Sequence, residues 1–237
     1  MKRAGRVLFT SALLTVCVAV LPACAAPVFL TSAQVNPAQL LPPPPADGSA
    51  ATQAELAELH RIENSRTADD LARAKNDAST EDVTAFAAVM GSGFDLKGLP
   101  KTTKLFADVR EEEKTAAKLA KDYFKRTRPY AADPSLKSCV DKSDAPKTSY
   151  PSGHATMGYS MAIVLAALAP EKAQTIMARA SEYAENRLVC GVHYRRDIAA
   201  GEALGTAVSV ELMSVPAFKN EFEAARDELR AAHIVAN

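Results

Sequence analysis

Three clusters of cationic, imidazole and carboxylate side chains stand out in this 237-residue sequence, because each could grip or attack a tetrahedral anion. The first is Lys121-x6-Arg128-Pro129, a spacing of seven that puts both cations on one face if the segment is helical. A guanidinium fork and an ammonium point charge together suit a dianion. Taken alone, and with Lys125 and Arg126 beside it, the stretch reads better as a solvated basic helix face. The second cluster is Pro151-Ser152-Gly153-His154, between a polar loop and the most apolar stretch of the chain. Ser152 can cap a helix starting there, Gly153 lets backbone approach a ligand, and the free N–H groups of the first turn attract anions. His154 then sits beside the anion; the blander reading is an ordinary N-cap with a bystander histidine.

The third cluster is Arg187-x5-His193-x3-Asp197. Histidine and aspartate at i and i+4 share a helix face, so the carboxylate can accept from one ring nitrogen and leave the other as a lone-pair nucleophile. Cys190-Gly191 is expected to break the helix and fold Arg187 back toward the same place. By average residue usage Pro-Ser-Gly-His alone arises about once per 10^5 positions. The three clusters together, in this order, are therefore not accidental.

The elements that must position these residues are helices. Thr52-x-x-Glu55 has capping-box spacing, followed by Leu56, Leu59 and Ile62 at helical intervals. A further helix is expected from about Asp69, and another opens at Thr80-Glu81-Asp82 and ends near Gly91 and Gly93. Residues 101–128 are strong helix formers, with Arg128-Pro129 as the expected steric stop. Residues 131–150 read as loop, 154–169 as a buried apolar helix, and 171–189, 194–213 and 216–231 as further helices. No segment shows sustained alternation of period two, so the expected fold class is all-α, a single compact multi-helix domain over 51–237.

Lys2, Arg3 and Arg6, the apolar run Val7 to Leu21 and Ala23-Cys24-Ala25 read as an export signal over residues 1–25. The run is shorter than the ~20 residues of a spanning helix. Leu21-Pro22-Ala23-Cys24 also resembles a lipoprotein signal, which leaves open a lipid anchor at Cys24 and an outer-membrane location; otherwise the mature chain is expected in the periplasm or secreted. Residues 26–50, with Pro42 to Pro45, form a Pro-rich linker or arm. Cleavage after Ala25 leaves Cys139 and Cys190, and an oxidising compartment predicts a disulfide between them. Neither cysteine has zinc-site spacing. With 28 basic and 28 acidic residues there is no global field to attract a nucleic-acid polymer.

The motifs resemble those of the bacterial class A non-specific acid phosphatases, within the superfamily of type 2 phosphatidic acid phosphatases and vanadium haloperoxidases. That signature runs Lys-x6-Arg-Pro, Pro-Ser-Gly-His and Ser-Arg-x5-His-x3-Asp. Lys121-Asp122-Tyr123, Pro151 to Gly158 and Val189 to His193 carry the likeness further. The departures are Asn186, where serine is usual, and Tyr194, where tryptophan is frequent. The resemblance implies hydrolysis of phosphate monoesters with broad specificity and no metal or other cofactor. Lys121, Arg128, Arg187, Ser152 and the backbone of Gly153 would hold the phosphoryl oxygens. His193, oriented by Asp197, would attack phosphorus, and His154 would protonate the leaving alcohol and then activate water. Vanadate would inhibit as a phosphate mimic, activity would follow a bell on the acid side of the pH scale, and a homo-oligomer is in keeping with the family. His60 and His233 match nothing. Three other readings share the cage: a vanadium haloperoxidase, a membrane lipid phosphatase, which would need several spanning helices, and an exported phosphate binder without turnover.

Overall fold

Helix ends are written into the local sequence, and most of the architecture follows from them. The computed structural model describes residues 29–142 and 144–236; the expected export signal and Cys24 lie outside the described residues. The chain enters as an extended arm with one helical turn, α1 (Pro37–Leu40), and then runs through α2 (Ala50–Ser65) and α3 (Ala68–Ser79). Ser49 caps α2 by accepting from Thr52 N at 3.3 Å, so the capping box expected at Thr52 and Glu55 does not form. Glu55 lies instead on the buried face of α2. Thr67 and Asp70 form the reciprocal box of α3. A 3-10 turn at Val83–Phe86 leads into α4 (Ala87–Met90), which stops at Gly91 with φ of 99°.

The long helix α5 (Pro100–Phe124) has no capping side chain of its own. Glu228 supplies one from elsewhere, accepting from Lys101 N at 2.9 Å and Thr102 N at 2.8 Å. The helix ends at Phe124, five residues before the proline expected to end it, with Lys125 in the left-handed region at φ 51°. A short α6 (Pro129–Ala132) and an irregular stretch follow, then α7 (Gly153–Leu168), α8 (Ala173–Val189), α9 (Arg195–Ser214) and α10 (Pro216–Ala231). Among the described residues there is no strand, and the fold is all-α.

The apolar helix α7 is the centre, packed between α8 and α9, with α5 and α10 closing the layer behind. Glycines let its backbone approach its neighbours. A Cβ at Gly201 of α9 would lie 2.6 Å from Ser152 O, and one at Gly205 would lie 2.4 Å from Thr156 O. The arm is fastened to the body: Phe29 meets Phe218 edge-on at 5.6 Å, and Tyr150 donates its hydroxyl to Pro42 O at 2.6 Å. Among the described residues no single helix is long and apolar enough to cross a membrane; α9 and α10 pass that test only jointly, and they are bent by 93° at their junction.

Candidate active site

All three sequence clusters open onto one pocket of about 460 Å³ at the N-terminal end of α7. Lys121, in the last turn of α5, donates to Thr148 O at 2.9 Å and Pro151 O at 2.8 Å. Arg128 does not share its helix face, as the spacing of seven predicts, because the chain leaves the helix at Lys125. Arg128 reaches the pocket as the extended residue before Pro129, anchored by its own N–H to Pro146 O at 2.7 Å. Arg187 projects from the last turn of α8, which Gly191 terminates at φ 68°. Its Nε and Nη1 are buried without a hydrogen-bond partner among the described residues. Nor does any of the three cations form an ion pair among those residues.

His193 precedes α9 rather than lying in it. Its Nδ1 is 2.8 Å from Ser149 O and its Nε2 is 3.2 Å from Arg128 Nη1. A carbonyl only accepts and a guanidinium only donates, so the proton belongs on Nδ1 and the lone pair of Nε2 is left on the pocket side. Asp197 is not the direct acceptor that the i, i+4 spacing predicts: its Oδ2 stands 3.5 Å from Nδ1. That carboxylate accepts from Ser149 Oγ at 2.5 Å, Tyr194 N at 2.9 Å and Arg126 Nη1 at 2.6 Å, and so holds the residue whose carbonyl orients His193.

His154 sits in the first turn of α7, stacked on Tyr183 with ring centroids 5.7 Å apart. Its Nε2 is 3.3 Å from Ala78 O and 3.5 Å from Glu81 Oε1. Ser152 is fully buried and does not line the pocket; its hydroxyl caps α7 by accepting from Ala155 N at 3.3 Å. Gly153 does line it, and a Cβ there would stand 3.9 Å from Lys121 Nζ.

Burial and mutual repulsion set the electrostatics. Burial, and then the charge of Arg128, holds His193 well below the ordinary imidazole value; burial and Arg187 do the same to His154. Lys121 is pushed down to about 7 by burial and next by Arg128, and Arg187 to about 10 chiefly by burial. Burial lifts Asp197 to about 6 against the pull of Arg126. Glu113, in the pocket wall, rises to about 8 through burial, opposed by Arg110. The pocket is thus a place where positive charge is under strain and a bound dianion would relieve it.

Several contributors escape sequence reading. Ser149 acts through its carbonyl, which no residue type announces. Arg126 hides in a basic run yet is buried, paired with Asp197 and Glu55 and lying 3.9 Å over the Tyr194 ring. Asn186 donates to Asp77 at 2.8 Å, away from the pocket, so the departure from serine leaves the cation cluster in place. Cys139 and Cys190 are joined in a disulfide. Among the described residues no group of His, Cys, Asp and Glu is placed to hold a metal ion.

A family model for the PAP2 superfamily matches residues 114–221, which include all three clusters. The chain is 29% identical over 204 residues to the non-specific acid phosphatase of Providencia stuartii, covering 83% of this chain and 82% of the relative. It is 30% identical over 201 residues to that of Salmonella typhimurium, covering 82% and 80%. With the acid phosphatase of Zymomonas mobilis it shares 29% over 208 residues, covering 85% and 78%. A cationic pocket with an imidazole lone pair at its wall thus coincides with relatedness across most of both chains, and the protein belongs to the bacterial non-specific acid phosphatases of the PAP2 superfamily.

Proposed function

We propose that this acid phosphatase cleaves phosphate monoesters of broad structure through a covalent phosphohistidine on His193. Lys121, Arg128, Arg187 and the N–H groups at Gly153 hold the phosphoryl oxygens, stabilising charge that builds during transfer. The Nε2 lone pair attacks phosphorus as the P–O bond to the alcohol breaks, and His154 donates a proton to the departing oxygen. Water, deprotonated by His154, then breaks the P–N bond and releases orthophosphate. His154 must be protonated in the first step although the free pocket disfavours it; the dianion's charge and Glu81 at 3.5 Å both favour the imidazolium. The three cations fill the role that a metal would otherwise take, so the reaction needs none, and vanadate inhibits by occupying the phosphate position. The disulfide between Cys139 and Cys190 supports an exported, oxidising location.

The observation that carries this reading is His193 held between Ser149 O at Nδ1 and Arg128 at Nε2, in the pocket that the unpartnered Arg187 also lines. Rapid quenching with labelled p-nitrophenyl phosphate tests it. An acid-labile, alkali-stable adduct is expected in the native enzyme, and H193A should lack both adduct and turnover while remaining folded. Near-native turnover by H193A would refute the assignment.

A further inference from the structure

Arg126 lies inside the Lys121 to Arg128 segment, yet it does not line the phosphate pocket. Its buried guanidinium is shared between two carboxylates, with Nη1 2.6 Å from Asp197 Oδ1 and Nη2 2.6 Å from Glu55 Oε2. Each acid has a second engagement. Glu55 Oε1 accepts from Arg196 N at 2.8 Å in the first turn of α9. Asp197 Oδ2 accepts from Ser149 Oγ at 2.5 Å and from Tyr194 N at 2.9 Å. The main-chain carbonyl of residue 126 also accepts from Ser149 N at 3.1 Å, whatever the side chain there. Ser149 O in turn holds His193 Nδ1 at 2.8 Å.

From this chain of contacts we infer that Arg126 is a positioning residue for the nucleophile, fixing Ser149 and Asp197 behind His193, with Glu55 of α2 as its counter-charge. The inference rests on His193 being the nucleophile. A guanidinium that merely neutralised Asp197 would need no second acid. Here one rigid fork ties Glu55 of α2 to Asp197 at the start of α9, and the other oxygen of Asp197 holds Ser149 in the loop before α7. These are the segments whose registration decides where the imidazole points.

The same geometry predicts a signature that a purely structural role would lack. Asp197 is faced by Arg126, Ser149, the Tyr194 amide and His193, with Lys121 and Arg128 near enough to act on it through space. Removing Arg126 takes away its closest cation and makes its ionised form less favourable. Removing the charge of Glu55 leaves Arg126 with one carboxylate to serve, which makes that form more favourable. Because protonating Asp197 weakens its hold on Ser149, and through the Ser149 carbonyl on His193, the acid limb of the pH profile should move in opposite directions in the two variants.

The test uses the full chain as R126M, R126K and E55Q, assayed with p-nitrophenyl phosphate across pH, with circular dichroism to confirm folding and phosphoenzyme trapping in the native protein. R126M is expected to lower kcat by about 10- to 100-fold, the scale seen for supporting contacts behind reactive ligands, with KM changed less than about threefold. Its acid limb should move toward neutral pH, that of E55Q toward lower pH, and R126K should recover part of kcat. Folded R126M with native kcat and an unmoved acid limb would overturn the inference. If R126M does not fold, R126K and E55Q decide, and acid limbs identical to the native one in both overturn it. Failure to trap a phosphohistidine in the native enzyme would instead refute the nucleophile assignment, whereas trapping with unmoved limbs refutes only the role of Arg126.

Discussion

At the scale of single residues, three cations share one pocket without an ion-pair partner among the described residues, and Arg128 raises the cost of charging both Lys121 and Arg187. Lys121 registers this most, its ammonium brought from 10.5 down to about 7 by burial and by Arg128. Between those two values the unfolded chain holds a proton that the folded chain has released, so stability rises with pH across that window; below about 7 the folded protein carries a destabilising charge. K121M is therefore expected to be more stable than the native protein at pH 6 by about 0.5–2 kcal/mol, the usual return from relieving a functional site. Orthophosphate at 100 times its Kd should stabilise the native protein by about 2.7 kcal/mol, and K121M far less at the same concentration. Denaturant midpoints with and without phosphate measure both. K121M less stable at pH 6 would mean that the bonds to Thr148 and Pro151 carbonyls outweigh the repulsion. Lys121, Arg128, Arg187, His154 and His193 were legible because their side-chain types declare the chemistry. Ser149 was not, since it contributes a carbonyl, and Arg126 was not, since only burial separates it from its exposed neighbour Lys125.

At the scale of elements, helical periodicity gave the start of α3, and α7, α8, α9 and α10 nearly to their ends, because caps, prolines and apolar spacing are local properties. It misplaced the end of α5, where a left-handed Lys125 has no local signature, and with it the argument that Lys121 and Arg128 share a face. It also could not see that Gly201 and Gly205 form the contact of α9 with α7, since their need for smallness arises only in packing. That contact yields a prediction. In G205A the new Cβ would meet Thr156 O at 2.4 Å and Ser160 N at 3.0 Å, both backbone, so the helices must part at a cost of about 1–3 kcal/mol. In G201A the obstacle is Ser152 O at 2.6 Å, directly beneath Gly153 and His154. G201A should therefore lose kcat/KM as well as stability, whereas G205A should lose mainly stability. Denaturation curves and steady-state kinetics on both variants separate the two effects, and G201A with native kcat/KM would show that the anion-binding turn is not carried by α9.

For the molecule as a whole, the site is assembled from the end of α5, the loop before α7, the starts of α7 and α9 and the end of α8, so its integrity depends on long-range closure. One closure is covalent: Cys139 and Cys190 are separated by 51 positions, and their bond ties the loop carrying Thr148 and Ser149 to the turn before His193. Restricting the unfolded chain over a loop of that length is worth about 4 kcal/mol on the chain-entropy scale, less any strain. The folded state does not rely on the bond alone to join those segments. Cys139 N donates to Cys190 O at 3.0 Å, and Arg66 bridges Val189 O at 2.5 Å and Lys137 O at 3.0 Å. Replacing both cysteines by serine should thus lower unfolding free energy by about 2–4 kcal/mol. The kcat/KM of the remaining folded protein should stay within roughly threefold of native, since the variant acts mainly on the unfolded chain. Urea titrations and assays well below the midpoint distinguish this from the alternative. If kcat/KM instead collapses while stability holds, the disulfide sets the position of the Ser149 carbonyl, and the hydrogen bonds of Arg66 are too weak to hold the loop without it.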